Sequence, residues 1–305
     1  MHAFLTACTQ RKRFSPSPFL CARNLRDGSL SEVIELWKAR LTEVESASRA
    51  KDLYCGRSFV EATKAAQIAQ AKLHIVSAGL GVVDGEQSVP AYDLTVSKGS
   101  PDCILDKLHD GRTESEWWNG LGGSKMLHEV FGRTEHLIVI ALPSPYLRMI
   151  APTLTELPDS TCERIRIVGG RDVRGLRPSL ESARLPYDDR LDGPQSPLRG
   201  TRSDFASRAL RHFVEAILSN APLGTAEVHA KLVESELAAW ERPIAKLGVR
   251  KSDADLKSIV RENWARADGQ TTKLLRLLRD ELNIACEQKR FARLAAEIRE
   301  ERALS

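Results

Sequence analysis

Six residues, His136-Leu137-Ile138-Val139-Ile140-Ala141, make a nearly unbroken apolar run that stops at Leu142-Pro143-Ser144-Pro145-Tyr146. A second run, Leu73-His74-Ile75-Val76, breaks in the same way into Ser77-Ala78-Gly79-Leu80-Gly81, and Pro90-Ala91-Tyr92-Asp93 follows. Short β-branched runs bounded by turn residues read as parallel strands buried on both faces. Ala3–Ala7 and Arg164–Val168 are two further runs of this kind. Helical periodicity lies between them, at Leu30–Ala50, Ser58–Ala71, Lys125–Phe131 and Ser203–Leu218. Strands alternating with helices predict an α/β fold, a three-layer α/β/α sandwich on a mostly parallel sheet of about four strands. In such sheets ligands bind beyond the carboxyl ends of the strands. The residues after the two runs are therefore the first place to look for chemistry.

With 305 residues the chain has room for two domains. The break at Pro222–Gly224 suggests an α/β domain over residues 1–221 and a helical one over residues 222–305. The latter contains Thr225–Trp240, a capped start at Ser252-Asp253-Ala254-Asp255, Thr271–Glu281 and Glu287–Glu301. Helix, short Gly-containing turn, helix is the pattern of a helix-turn-helix module, and the expected domain is all-helical and winged-helix-like. Hydrophobic residues at 42% and charged residues at 28% exclude overall disorder. No apolar stretch approaches the ~18 residues of a membrane span. Six scattered cysteines without a C-x-x-C pair argue against a zinc site, a cluster or a disulfide framework, and for a reduced, cytoplasmic protein. The formal charge of +4 permits nucleic-acid binding without requiring it.

The strand ends offer a carboxylate in an aromatic setting (Tyr92-Asp93) and a hydroxyl in a Pro-locked turn (Ser144). They also offer glycines that allow close backbone approach. A carboxylate so placed can position water or stabilise a developing cation, and tyrosines can wall off a planar ring. The plainer alternative makes Asp93 a turn cap and Ser144 a strand end. Residues 169–202 form a long Gly- and Pro-rich loop carrying Arg171, Arg174 and Arg177. Those arginines either grip phosphates or pair with Asp172, Asp188, Asp189 and Asp192. Lys273, Arg276 and Arg279 recur at a three-residue step, with Lys289, Arg290 and Arg293 on the next helix. Such a stripe is what a recognition helix presents to phosphates, the plainer alternative being the exposed face of an amphipathic helix.

Leu142-Pro143-Ser144-Pro145 after an apolar strand resembles the second motif of the uracil-DNA glycosylase superfamily. Gly81 to Asp93 occupies the place of its water-activating loop. The fuller resemblance, over roughly residues 1–215, is to a group akin to YaaA and the archaeosine-transglycosylase-associated domains. It rests on Cys8, Arg11, Lys12 and Arg13, on Leu53-Tyr54-Cys55-Gly56-Arg57-Ser58-Phe59, and on Ser77-Ala78 to Gly81 followed by Tyr92-Asp93. The chain is also similar to anti-phage DNA glycosylases that remove glucosylated hydroxymethylcytosine. The resemblance implies a monofunctional DNA glycosylase without cofactor or metal, with Asp93, Tyr92 and Ser144 catalytic. Cys8, Ser77, Ala78, Gly79, Gly81, Pro143 and Tyr146 would line the base pocket. Arg11, Lys12, Arg13, Arg171, Arg174 and Arg177 would bind DNA, expected to be double-stranded with the modified base flipped out, and the basic stripe of Lys273, Arg276 and Arg279, beyond the region of resemblance, is expected to join them. A membrane partner is not expected, and a monomer is favoured. Leu142 stands where the uracil enzymes carry a His, which makes uracil a poor substrate. A non-catalytic DNA-binding protein like YaaA and a nucleoside or nucleotide hydrolase are the alternatives.

Overall fold

A computed structural model describes residues 1–46, 48–244 and 248–303, less the side chains of residues 289 and 303. The chain forms two compact units, residues 1–243 and 244–305. The first is built on a five-stranded sheet of β1 (Ala3–Ala7), β2 (Lys72–Ser77), β3 (Gly81–Asp84), β4 (Ile138–Ala141) and β5 (Ile165–Ile167). Their order across the sheet is β3-β2-β1-β4-β5. The four expected strands are parallel, and β3 adds an antiparallel edge to β2.

Each face of the sheet is covered by helices with the matching apolar stripe. On one side α1 (Leu30–Thr42), α3 (Glu114–Gly120), α4 (Gly123–Gly132) and α5 (Ser144–Thr155) pack Trp37, Trp117, Phe131 and Ile150 against Leu5, Ile75 and Ile140. On the other lie α2 (Arg57–Ile68), α6 (Phe205–His212, continued by a π-helical stretch to Leu218) and α7 (Ala226–Leu237). There Ala62 and Ala65 let α2 approach Phe4 and Val139 closely. The layered α/β architecture expected from the sequence is present.

Three features depart from the sequence reading. Ser144–Thr155 is a helix rather than a rigid turn, because proline at the first helical positions costs no hydrogen bond. The loop over residues 169–202 is packed, burying Leu180, Leu185, Tyr187, Leu191 and Leu198. The first unit extends past the break at 222–224 to Pro243, since α7 docks on it. The anchor is Arg166, buried in β5, whose Nε donates to Nδ1 of His229 at 3.0 Å and whose Nη2 donates to the Gly224 carbonyl at 2.8 Å. His229 must then be neutral, with Nε2–H donating to the Ala221 carbonyl at 2.8 Å.

The second unit packs α8 (Asp253–Glu262), α9 (Thr271–Asp280) and α10 (Gln288–Ala303) around Leu256, Leu274, Phe291 and Leu294. Its strand pair, Val249–Arg250 with Ile284–Ala285, is parallel. Among the described residues this unit has no antiparallel hairpin to serve as a wing, so the winged-helix expectation reduces to a helical unit. Among the described residues no helix is long and apolar enough to cross a membrane.

Burial holds His74, His212 and His229 below the ordinary histidine range. Between those depressed values and the unfolded value near 6.5, the unfolded chain binds more protons. Stability is therefore expected to fall as pH drops through about 6.5. Thermal melts at pH 7.5 and 5.5 check this, and an unchanged or higher midpoint at pH 5.5 contradicts it.

Candidate active site

Beyond the carboxyl end of β1 the ladder continues one residue, Cys8 N–H donating to the Val76 carbonyl at 3.0 Å. The chain then turns, with Thr9 Oγ1 donating to the carbonyls of Arg11 and Cys55, each at 2.8 Å. Lys12 next pairs antiparallel with Tyr54. In an extended segment alternate side chains point to opposite sides. Lys12 accordingly turns inward, its side chain 5% exposed, while Arg11 and Arg13 point to solvent. Its ammonium lies 3.3 Å from the Thr9 carbonyl, 3.5 Å from Asp93 Oδ1 and 4.6 Å from the centroid of the Tyr92 ring.

Asp93 is fixed through its backbone. Its N–H donates to Leu20 at 2.8 Å, and its carbonyl accepts from Ala22 at 2.7 Å. Its Oδ2 faces Arg23 Nη2 at 3.6 Å. Arg23 is in turn clamped on Asp102 by Nε–Oδ1 at 2.9 Å, by Nη2–Oδ2 and by its backbone N–H at 3.0 Å. Across from them the Cys8 thiol and the Tyr146 hydroxyl meet at 3.1 Å. Burial first, and then Cys8, push the Tyr146 phenol well above its ordinary range, so it acts as a neutral hydrogen-bonding group. Lys12, Arg23, Asp93, Asp102, Cys8 and Tyr146 share one cavity of about 230 Å³ in which two cations balance two carboxylates.

Several expected site residues lie elsewhere. Tyr92 is fully buried beneath this cavity, its hydroxyl 2.6 Å from Ser77 Oγ and 2.9 Å from Tyr54 Oη. It supports Lys12 from below and does not line the cavity. Ser77 to Gly81 is the hairpin turn between β2 and β3, not a nucleotide cradle. Ser77 Oγ accepts from the N–H groups of Gly79 and Leu80 at 3.2 and 2.9 Å. Three indoles close the turn, Trp117 onto the Ala78 carbonyl and Trp37 onto that of Gly79, both at 2.7 Å, and Trp118 onto that of Ser77 at 3.2 Å. A Cβ on Gly79 would stand 2.8 Å from the Tyr92 ring, so this glycine makes room for the protein's own aromatic core. Gly81, at φ +74°, starts β3 against Met126 in the same way.

Ser144 and Asp93 do not converge. Ser144, with Pro143, Arg171, Arg202 and Phe205, lines a different cavity of about 520 Å³, where its Oγ donates to Asp172 at 3.4 Å. Tyr146 is two residues further along α5, roughly 200° around the helix, so the two side chains face different sides.

The basic residues divide similarly. Arg171 pairs with Asp189 at 2.7 Å and lies over the Phe205 ring, and Arg177 holds Asp159 and the Leu157 carbonyl. In the second unit Lys273 pairs with Asp268 at 2.9 Å and Arg276 with Asp280 at 3.6 Å, while Arg279 donates to the Cys286 carbonyl at 2.7 Å. Arg290 and Arg293 both hold Asp253, and the Lys289 side chain lies outside the described residues. Among the described residues Arg11, Arg13 and Arg174 are exposed with no side-chain partner. No group of three His, Cys, Asp or Glu among the described residues could hold a metal ion.

Arg23 and Asp102 were not visible as site residues in the sequence, being 79 positions apart with no motif to join them. The inward turn of Lys12 does have a signal, its place between two arginines in an extended stretch. No protein-family model, curated protein or solved structure matches this chain.

Proposed function

We propose that the cavity around Asp93 hydrolyses the N-glycosidic bond of a modified base turned out of DNA, leaving an abasic site, in defence against phage. One observation carries this reading. Four separated segments, represented by Cys8 and Lys12, Arg23, Asp93 with Asp102, and Tyr146, deliver an acid–base set to one cavity of about 230 Å³ at the strand ends. That is smaller than the ~300–1,000 Å³ of drug-sized ligand sites and suits the ring of the base, with a glucose carried on that base left outside the cavity.

In this mechanism the Asp93 carboxylate positions the attacking water and stabilises the cationic sugar as the base departs. The departing base carries negative charge, and Leu142 cannot offset it. The Lys12 ammonium, 3.5 Å from Asp93, supplies the missing positive charge. The Cys8 thiol and Tyr146 hydroxyl offer hydrogen bonds to the base edge. Turning the nucleotide out costs a few kcal/mol. Phosphate contacts from Arg11, Arg13 and Arg174 are suited to offset it. Lys273 and Arg276 can exchange exposed carboxylate partners for phosphates at little cost, because such surface pairs contribute only about 0–1 kcal/mol. All six cysteines are free thiols, which suits a reducing cytoplasm.

The test is incubation with unmodified DNA, uracil-containing DNA, glucosylated phage DNA and free nucleosides, followed by alkali. Breaks are expected in the glucosylated DNA alone. Intact DNA in every arm rejects the glycosylase, and release of base from free nucleosides alone moves the activity to small molecules.

A further inference from the structure

The geometry points to a second reaction at the same cavity: Lys12 forms a covalent imine with the abasic sugar and breaks the strand on its 3′ side. The inference rests on the base-excision reading for the sugar's presence in the cavity, and it replaces the monofunctional enzyme that the resemblance implies with one that also acts on the strand. Its chemistry depends on different atoms.

Lys12 does not occupy the place of a surface phosphate contact. Its side chain is 5% exposed, and its ammonium is held among the Thr9 carbonyl, the Tyr92 ring and Asp93 inside the cavity. A primary amine withdrawn from water and facing a space that would hold the aldehyde of an abasic sugar is the arrangement from which Schiff bases form. Asp93 Oδ1, at 3.5 Å from Nζ, is placed to relay the protons.

The steps balance without any co-reactant other than water. The ammonium passes a proton to Asp93, and the freed nitrogen bonds to C1′ of the ring-opened sugar. The C1′ oxygen leaves as water with two of the original nitrogen protons, giving a protonated imine. Asp93 then takes a proton from C2′, and the released pair forms the C2′=C3′ bond through the enamine. The C3′–O bond breaks, and the phosphate leaves with its electron pair. Water hydrolyses the protonated imine and returns Lys12 as its ammonium, while the C2′ proton held by Asp93 passes to the departing phosphate and restores the carboxylate.

The experiment mixes the full chain with DNA carrying a preformed abasic site, in the presence of borohydride, which reduces an imine to a stable amine. A covalent protein–DNA complex is expected, its adduct mapping by peptide mass analysis to Lys12. Lys12→Arg, which keeps the charge but cannot form the imine, is expected to lose the complex while retaining its thermal unfolding midpoint. If that variant fails to fold, the mapped position in the unaltered protein still decides. No complex, an adduct on another lysine, or a complex undiminished in a folded Lys12→Arg overturns the inference. Because the abasic site is supplied, this outcome is separate from base excision. Base release without trapping removes the lyase and leaves the glycosylase, and trapping without base release does the reverse.

Discussion

Asp93→Asn is expected to lower base release by about 10²–10⁴-fold, the usual contribution of a positioned acid–base group. The amide keeps the shape of the side chain, and the backbone bonds to Leu20 and Ala22 that fix the loop are untouched. It removes the charge that stabilises the sugar cation and leaves Lys12 and Arg23 without this carboxylate. DNA affinity is not expected to fall, since no phosphate contact is lost. Ser144→Ala is the matching control, because Ser144 faces the other cavity, and its activity should equal that of the unaltered chain. Single-turnover base release with a parallel binding titration measures both. Full turnover by Asp93→Asn would assign the chemistry to another group.

The largest expected effect on stability comes from Arg208→Ala. This arginine is fully buried in α6, where Nε donates to Asp204 at 2.6 Å and Nη1 meets Asp192 at 2.8 Å. The same guanidinium donates to the carbonyls of Leu198 and Thr201, each at 2.8 Å. Removing one member of a buried ion pair strands its partners and typically costs about 3–5 kcal/mol. It would also release the end of the loop that crosses from β5 to α6. Urea denaturation reads the change directly, and a loss below about 1 kcal/mol would mean that water or a neighbouring cation replaces the guanidinium.

The sheet was legible because its strands are short, mostly apolar runs, Lys72, His74 and Arg166 apart, a pattern that burial on both faces produces. Ala3–Ala7 coincides with β1, and the other three expected strands overlap β2, β4 and β5. Edge strand β3 was less legible, since Gly81-Val82-Val83-Asp84 is short and alternates buried with partly buried residues. Two helices were missed for local reasons. Pro143-Ser144-Pro145 suggests a stop when it is a start, and Pro152 inside the same helix deepens the misreading. The Thr113–Glu116 capping box announces Glu114–Gly120, but its aromatic pair Trp117-Trp118 suggests a strand. Of the site, Asp93, Cys8 and Tyr146 were found because each follows a strand or sits in a short motif. Tyr92 was misplaced because neighbours in extended chain face opposite ways, so Asp93 in the cavity sends Tyr92 into the core. The ion pair of Arg23 with Asp102 exists only after folding.

The indole-capped turn ties the scaffold to its cavity. Hairpins ordinarily form early and by themselves, within microseconds. Here the turn carbonyls are met by Trp37, Trp117 and Trp118, which lie 42, 39 and 41 residues away along the chain. The turn therefore acquires its final shape only when both flanking helices have docked, and Ser77 in that turn also sets the tilt of the Tyr92 ring. A loosened α1 or α3 would reach the proposed site through the Tyr92 ring, so distant substitutions in either helix are expected to lower any activity of that cavity before they register as unfolding.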